Sequence, residues 1–212
     1  MPVILTFGDS NTHGTPPMAT LNEYQRFGAD IRWPTRAMAA LGSNWILVEE
    51  GLPGRTAQYD DAVVGPHLNG QLGLKIALQS HGPIDILVIM LGTNDVKAEF
   101  GATPEQITGG IAGLLAIAME PAVQSRHQGF KVLLVCPPPV EEVGPLQAMF
   151  YGGAAKSRAL PALYAALARA YGAEFMDAGR VVTVSPIDGV HYEDVAHGNL
   201  AVAIAEKLAE MA

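Results

Sequence analysis

The sequence predicts an α/β fold whose core is a parallel sheet of five strands. Short apolar runs without polar alternation recur along the chain, which is typical of strands covered on both faces. Segments with helical capping signals separate these runs. Polar clusters follow several of the runs, at the strand end where open α/β sheets place their ligands. Strands that alternate with helices form parallel sheets, so these clusters are expected to share one edge.

The first half of the chain carries three of the predicted strands, at 3–5, 46–50 and 85–91. A long polar loop follows the first strand and leads to a helix over 34–41, which begins with a proline and is followed by a glycine. A second helix is expected over about 68–80, where a Gly-Pro pair ends it. The run 85–91 is the clearest strand, as expected of a central strand.

The second half continues the alternation. Residues 103–106 have the pattern of a capping box and predict the start of a helix. Glycines are unfavourable inside a helix, so Gly109, Gly110 and Gly113 predict close packing against another backbone. The later elements are, in chain order, a strand at 131–136, an irregular insertion from 137 to about 158, a helix to about 171, a strand at 174–177 and a helix over about 199–211.

Composition limits the classes of function. The 212 residues predict one domain, 1–212, with a sizeable core. A net charge of −8 argues against sequence-independent binding of nucleic acid. There is no apolar run long enough for a membrane span and no secretory leader, so we expect a cytoplasmic protein without a membrane partner. Cys136 is the only cysteine, and the six histidines show no metal-ligand spacing, so neither a disulfide nor a metal is expected.

Ser10 lies just after the first strand, in the sequence Gly8-Asp9-Ser10. An exposed serine at this place is either a nucleophile or an anion-binding hydroxyl. The loop 10–15 is rich in hydroxyl groups and glycine, as is a flavodoxin-like loop that holds a phosphate or a flavin phosphate. A third interpretation is a serine that caps the following helix.

Residues after the other strands favour a nucleophilic Ser10. Gly54 follows the second strand, Asn94 the third, and Asp188 and His191 the fifth. Acyl transfer needs such a set: His191 as the base for the serine, and Asp188 to orient the imidazole. The backbone N–H groups of Ser10 and Gly54 and the side-chain amide of Asn94 are the candidate oxyanion donors.

Other residues could take the same roles. His13 lies near enough to Ser10 in sequence to be a second candidate for the base, and Asp177 is a weaker candidate for the acid. A structural role is the default for a histidine, and we assign it to His67, His81, His127 and His197.

Four blocks in this order, 8–10, 54, 92–95 and 188–191, resemble those of the SGNH (GDSL) hydrolases. The resemblance spans nearly the whole chain. It implies a three-layer, flavodoxin-like fold, serine esterase chemistry on a small-molecule ester, and no cofactor. The second block of that family usually carries an asparagine shortly before the glycine loop, whereas Glu49 and Glu50 stand there in this chain.

Finer features are similar to the bacterial arylesterases, a subgroup that includes acyltransferase/perhydrolase enzymes and carbohydrate acetyl esterases. They lie at 31–33, 49–52, 90–97 and 150–153. The resemblance implies homo-oligomers, from tetramer to octamer, in which loops of neighbouring subunits narrow the mouth of the site. The candidate pocket residues are Asp9, Trp33, Thr93, Lys97 and Phe150.

The expected function is therefore the hydrolysis of short-chain esters, above all acetyl esters, with transfer to an alcohol or hydrogen peroxide as a further activity. The alternative from a different class is a flavodoxin-like protein that binds a phosphate or a flavin at residues 10–15. A third interpretation is a pseudoenzyme that binds acylated sugars.

Overall fold

The computed structural model describes residues 1–21 and 23–212. A sheet of five parallel strands forms its centre, in the order β2-β1-β3-β4-β5. The strands are β1 (Val3–Gly8), β2 (Ile46–Gly51), β3 (Ile86–Met90), β4 (Lys131–Cys136) and β5 (Glu174–Asp177). The helices are α1 (Ser10–His13), α2 (Trp33–Leu41), α3 (Gly70–Ser80), α4 (Pro104–Ala118), α5 (Pro121–Arg126), α6 (Gly153–Tyr171) and α7 (Asp194–Met211). The predicted five-stranded parallel sheet is confirmed.

The strand β3 lies at the middle of the sheet, between β1 and β4. All of its residues are buried, because helices cover both of its faces. Its neighbour β1 pairs with β3 on one side and with β2 on the other, so that Leu5 lies opposite both Val48 and Leu87. Burial on both faces is the physical reason that these strands read as continuous apolar runs.

Helices form a layer on each face of the sheet, and the three-layer arrangement implied by the family resemblance is present. On one face, α3, α4 and α6 pack over a core that includes Phe7 and Ile89. On the other face, α2 and α7 pack over Ile4 and Val88. Because successive side chains of a strand point to opposite faces, β1, β3, β4 and β5 contribute to both cores. This packing fixes the strand ends from which the functional loops emerge.

Four helices differ from the predictions. The last helix starts at Asp194, five residues before the predicted start, because its buried face begins at His197. The helix α6 begins at Gly153, inside the segment predicted to be irregular, and contains Pro161 in its interior. Two short helices, α1 and α5, were not predicted. The four residues of α1 form one turn, too few for a periodic apolar pattern to show.

The glycines of α4 pack closely, but against side chains rather than another backbone. A Cβ atom at Gly110 would lie 3.0 Å from the side chain of Gln58. At Gly113 it would overlap the side chain of Gln71, whereas Gly109 faces open space. The predicted contact with another backbone was therefore wrong.

Candidate active site

Ser10 stands at the first position of α1, and Asp9 alone separates it from the end of β1. The turn that places it at the end of the strand depends on Gly8, where an added Cβ would overlap the side chain of Thr12. Asp9 caps the turn, because its carboxylate accepts a hydrogen bond from the backbone N–H of Asn11 at 2.9 Å. The backbone of Ser10 is thus fixed from both sides, and its side chain reaches the cavity described below.

Ser10, His191 and Asp188 form one hydrogen-bonded chain. The distance from Ser10 Oγ to His191 Nε2 is 3.1 Å, across 181 positions of sequence. On the other side of the ring, His191 Nδ1 lies 2.7 Å from Asp188 Oδ2. All three residues are buried, with 6%, 4% and 0% of their surface exposed for Ser10, His191 and Asp188. The structure brings together the three residues that the sequence analysis selected.

The carboxyl group of Asp188 is held in its charged form. Burial alone would raise its pKa, but the hydrogen bond and the charge of His191 hold the pKa below its ordinary value. Backbone N–H groups add to this effect: Oδ1 accepts from Val190 and His191, each at 2.9 Å, and Oδ2 accepts from Met18 at 2.8 Å. The contact with Met18 ties the polar loop after α1 to the acid.

The loop that carries the acid and the histidine is braced at several points. Ser185 N–H donates to the carbonyl of His191 at 2.7 Å, and Glu141 N–H donates to the carbonyl of Gly189 at 2.8 Å. The side chain of Asn11 donates to the carbonyl of Val190 at 3.1 Å. Since Asn11 follows Ser10, this last bond couples the serine turn directly to the histidine loop.

The three candidate oxyanion donors line one cavity. Gly54 has a φ of +84°, a conformation that other residues adopt at a cost. Among the described residues, no backbone acceptor is paired with the N–H of Ser10 or of Gly54. Asn94 Nδ2 donates to the carbonyl of Arg55 at 3.0 Å, which joins the third block to the loop of Gly54.

Two buried carboxyl groups, Asp95 and Asp9, are sequence neighbours of the donor residues Asn94 and Ser10. Asp95 is fully buried and accepts a hydrogen bond from the N–H of Ala57 with both oxygens, at 2.9 and 3.0 Å. Burial raises its pKa to about 7, and the charge of Asp9 adds to the shift. Burial also raises the pKa of Asp9 to about 6, against the hydrogen bonds from Asn11 and Thr93. Asp95 was not singled out from the sequence, although it follows Asn94 directly.

The glycine loop is braced by a buried arginine. Arg55 Nη1 donates to the carbonyl of Gly8 at 3.0 Å, and its guanidinium lies 4.1 Å from the centre of the Phe7 ring. Burial lowers its pKa to about 10, and the nearby charge of Glu50 opposes the shift. Glu50, one of the two glutamates that depart from the family pattern, lies 3.8 Å from Arg55 Nη2. It contributes to bracing the loop.

The other glutamate of the pair, Glu49, supports the loop between α1 and α2. It forms a two-pronged ion pair with Arg32, with N–O distances of 2.8 and 3.1 Å. Arg26 approaches the same carboxylate at 3.4 Å, and its Nε donates to the carbonyl of His13 at 2.8 Å. Both glutamates therefore have structural partners.

A cavity of about 170 Å³ opens above Ser10. Its walls come from the segments that follow all five strands, and most of their exposed surface is apolar. The residues that line it are Ser10, Thr15, Met18, Glu23, Tyr24, Gln25, Pro53, Gly54, Asn94, Lys97, Leu146, Met149, Phe150, Val190 and His191. No group of three or more His, Cys, Asp and Glu side chains in residues 1–21 and 23–212 is arranged to hold a metal ion.

A model of the GDSL-like lipase/acylhydrolase family matches residues 6–200, which is most of the chain. The chain belongs to this family. It is an ester hydrolase of the SGNH type, and the resemblance noted in the sequence is confirmed. No match is found among curated protein sequences.

Solved structures of similar proteins agree with the family assignment. The native aryl esterase of M. smegmatis is 36% identical, with a TM-score of 0.94 over the whole of both chains. A carbohydrate acetylesterase from Sinorhizobium meliloti is 38% identical, with a TM-score of 0.95 and complete coverage of both chains. A carbohydrate acetylesterase family member from the same organism is 33% identical, with a TM-score of 0.90 over 100% of this chain and 99% of that one.

Two of the five candidate pocket residues, Lys97 and Phe150, line the cavity. Asp9 and Thr93 do not line it; both are buried, with 1% and 4% of their surface exposed. Trp33 lies elsewhere: it is 1% exposed and packs in the core that α2 and α7 form on the other face of the sheet. Its placement in the pocket was wrong, because the first residue of α2 points into that core.

The structure also shows where the alternative candidates for the base, the acid and a phosphate loop lie. His13 Nδ1 lies 3.2 Å from Thr15 Oγ1, and His13 does not line the cavity. Asp177 caps the turn after β5 by accepting from the N–H of Gly179 at 3.0 Å. In the loop 10–15, all side chains are buried and only Ser10 and Thr15 line the cavity. This loop therefore presents little of the open cradle that a phosphate group needs.

Several wall residues had no sequence signal. Met18, Glu23 and Tyr24 come from the polar loop after α1, and Leu146 and Met149 come from the insertion after β4. Neither segment has a periodic pattern or a motif. Only the family resemblance at 150–153 pointed to the insertion.

Within the described residues, no helix has both the length and the apolar character to cross a membrane.

Proposed function

We propose that this protein is a serine esterase that cleaves short-chain esters, above all acetyl esters of aryl, alkyl or sugar alcohols, through an acyl-enzyme. The observation that carries the proposal is the continuous chain from Asp188 through His191 to Ser10 at one wall of an apolar cavity. A serine hydroxyl is a weak nucleophile until a base accepts its proton, and His191 Nε2 is within hydrogen-bond reach.

In the first step, Ser10 Oγ attacks the ester carbonyl while its proton passes to His191 Nε2. Asp188 accepts the hydrogen bond from Nδ1–H, fixes the tautomer and stabilises the imidazolium that forms. The negative oxygen of the tetrahedral intermediate receives hydrogen bonds from the N–H groups of Ser10 and Gly54 and from Asn94 Nδ2. His191 then protonates the leaving alcohol, and the acyl group stays on Ser10.

In the second step, a water molecule gives its proton to His191 and attacks the acyl carbon. The bond from that carbon to Ser10 Oγ then breaks, the carboxylic acid leaves, and His191 returns the proton to Ser10. An alcohol or hydrogen peroxide in place of water would give acyl transfer or perhydrolysis. The apolar walls support this extension, because Met18, Leu146, Met149 and Phe150 offer water few hydrogen bonds.

The preference for short acyl groups rests on the size of the cavity, about 170 Å³. The solved relatives named as an aryl esterase and as carbohydrate acetylesterases support the same class of substrate.

A homo-oligomer, between tetramer and octamer, is part of the proposal. Large apolar side chains are exposed at Tyr24 and Met149, which line the cavity, and at Val63 and Tyr151. Contact with neighbouring subunits at these residues would narrow the mouth of the site. The cytoplasmic location stays a prediction.

The test is hydrolysis of para-nitrophenyl acetate, butyrate and octanoate by the wild type and by His191→Ala. We expect acetate to be cleaved fastest, with a steep fall in kcat/KM as the chain lengthens. Loss of the base is expected to lower kcat by about 10⁴-fold or more. The matched control is His67→Ala, at an exposed histidine that does not line the cavity, which should behave as the wild type. Equal slow rates in the wild type and in His191→Ala would refute the proposal.

A further inference from the structure

Lys97 places a positive charge in the wall of the cavity that contains Ser10. The residue is 8% exposed, so nearly all of its surface is covered by protein. Among the described residues, no carboxylate lies within salt-bridge distance of its ammonium group. A charge at such a place is unfavourable unless a partner of opposite charge or water reaches it. Lys97 lines the cavity, so a partner of opposite charge can approach it from there.

The position of Lys97 is fixed relative to the oxyanion donors. Its N–H donates to the carbonyl of Asn94 at 3.2 Å, which closes the turn that carries the Asn94 side chain. The next residue, Ala98, donates to the carbonyl of Met149 at 2.9 Å. Nζ lies 6.0 Å from the centre of the Phe150 ring, at the outer limit of a cation–π contact. The backbone of Lys97 is thus fixed relative to Asn94, and its ammonium group lies on the side of the Phe150 ring.

The neighbouring carboxylates are engaged with other groups. Asp95 uses both oxygens to hold the N–H of Ala57. Glu23, which also lines the cavity, accepts with Oε1 from the N–H and the hydroxyl of Thr20, at 3.2 and 2.6 Å. Asp61 accepts from two backbone N–H groups of its own turn. The charge of Lys97 therefore remains available to a group that enters the cavity.

The overall charge of the protein opposes the approach of anionic substrates. A net charge of −8 weakly repels any anion that approaches. Preference for an anionic substrate would therefore have to come from a group inside the site.

We propose that Lys97 forms a subsite for a free carboxylate on the ester substrate, so that the natural substrates are esters with a second, ionised carboxyl group. The inference rests on the proposed esterase function and narrows its substrate class. The carboxylate belongs to the acyl part or to the alcohol part of the ester. In either case it forms an ion pair with Nζ while the ester carbonyl lies against Ser10 and its oxyanion donors. The bond that breaks is the same as in any ester hydrolysis.

Two matched pairs of substrates test the subsite on the wild type. Monoethyl succinate is compared with ethyl levulinate for the acyl part, and para-acetoxybenzoate with para-acetoxybenzamide for the alcohol part. Each kcat/KM is divided by the rate of the uncatalysed reaction and measured at low salt, since salt screens charges. We expect the acid to exceed its neutral partner by about tenfold in at least one pair. The pair that shows it identifies the part of the ester. No preference in either pair would overturn the inference.

Variants then assign the preference to Lys97. Lys97→Met is expected to remove the acid-to-neutral ratio, and Lys97→Arg, which keeps the charge, to retain most of it. The control is Lys75→Met, an equal change of net charge at an exposed residue on α3. A ratio that persists in Lys97→Met, or that falls equally in Lys75→Met, would show the inference to be wrong. If Lys97→Met does not fold, Lys97→Gln takes its place, and the wild-type ratios still decide.

The two proposals fail in different ways. A wild type that cleaves none of the four esters contradicts the esterase proposal itself. A wild type that cleaves the neutral esters as well as the acids contradicts only the carboxylate subsite.

Discussion

Asn94 Nδ2 lies 3.0 Å from the backbone carbonyl oxygen of Arg55. An amide nitrogen carries two hydrogens, and this bond uses one of them. The second is left for the cavity, where the proposed oxyanion forms. One hydrogen bond therefore orients the donor of the third block and joins it to the loop of Gly54.

Replacing this side chain should affect catalysis and stability together. We expect Asn94→Ala to lower kcat by about 10² to 10³, with a smaller change in KM, because one oxyanion donor is lost. The carbonyl of Arg55 also loses its partner, which should lower the free energy of unfolding by about 1–3 kcal/mol. Steady-state kinetics and urea unfolding measure the two effects.

A second variant, expected to lose stability but not activity, separates the effect on kcat from the effect on the free energy of unfolding. Thr103 caps α4 through the N–H of Gln106, and Thr103 does not line the cavity. Thr103→Ala should lower the free energy of unfolding by about 1 kcal/mol and leave kcat as in the wild type. A kcat for Asn94→Ala close to that of Thr103→Ala would argue against Asn94 as an oxyanion donor.

The acid is expected to act by orienting His191. In Asp188→Asn, an amide replaces the carboxylate that accepts from His191 Nδ1 and from the N–H of Met18. We expect kcat to fall by about 10⁴, because the tautomer that accepts the serine proton is no longer favoured. The loop of Met18 should also loosen and raise KM. Asp177→Asn, at the rejected candidate for the acid, is the control and should keep wild-type kinetics.

Asp95 predicts a dependence of stability on pH. Burial raises its pKa in the folded protein to about 7, from an ordinary value of 3.8. Between these values the folded state binds more protons than the unfolded state, so stability falls as the pH rises through this window and then levels off. Asn does not titrate. The free energy of unfolding of Asp95→Asn, relative to the wild type, should therefore rise from about pH 4 to about pH 8, by on the order of 3 kcal/mol.

Urea unfolding at about pH 4, 6 and 8 measures this shift. Asp61 supplies a control of opposite sign, because hydrogen bonds from the N–H groups of Val64 and Val63 lower its pKa. It stabilises the fold above its ordinary pKa and loses this effect as the pH falls. Since its ordinary pKa is 3.8, that loss lies below about pH 4, and Asp61→Asn should differ from the wild type by a nearly constant amount between about pH 4 and 8. A pH-independent difference between Asp95→Asn and the wild type would contradict the buried titration.

Much of the fold and of the proposed reacting groups could be predicted from the sequence. Apolar runs such as 85–91 predict strands buried on both faces, and intervening helices make the sheet parallel. A parallel sheet gathers the loops after its strands, so Ser10 and His191 could be expected together although 181 positions separate them. The order of the four family blocks led independently to the same assignment of Ser10 and His191 to one site.

The tertiary structure alone decided how the site is walled and braced. The contact of Met18 with Asp188 joins a loop without a motif to a residue 170 positions away. Trp33 was placed in the pocket by resemblance, but the packing of α2 against α7 turns it into the opposite core. The surroundings of the Lys97 ammonium group and the burial of the Asp95 carboxyl group likewise depend on which distant groups lie around them. Local sequence determines periodicity and turns, whereas burial and charge environment are sums over long-range contacts that only the folded chain brings together.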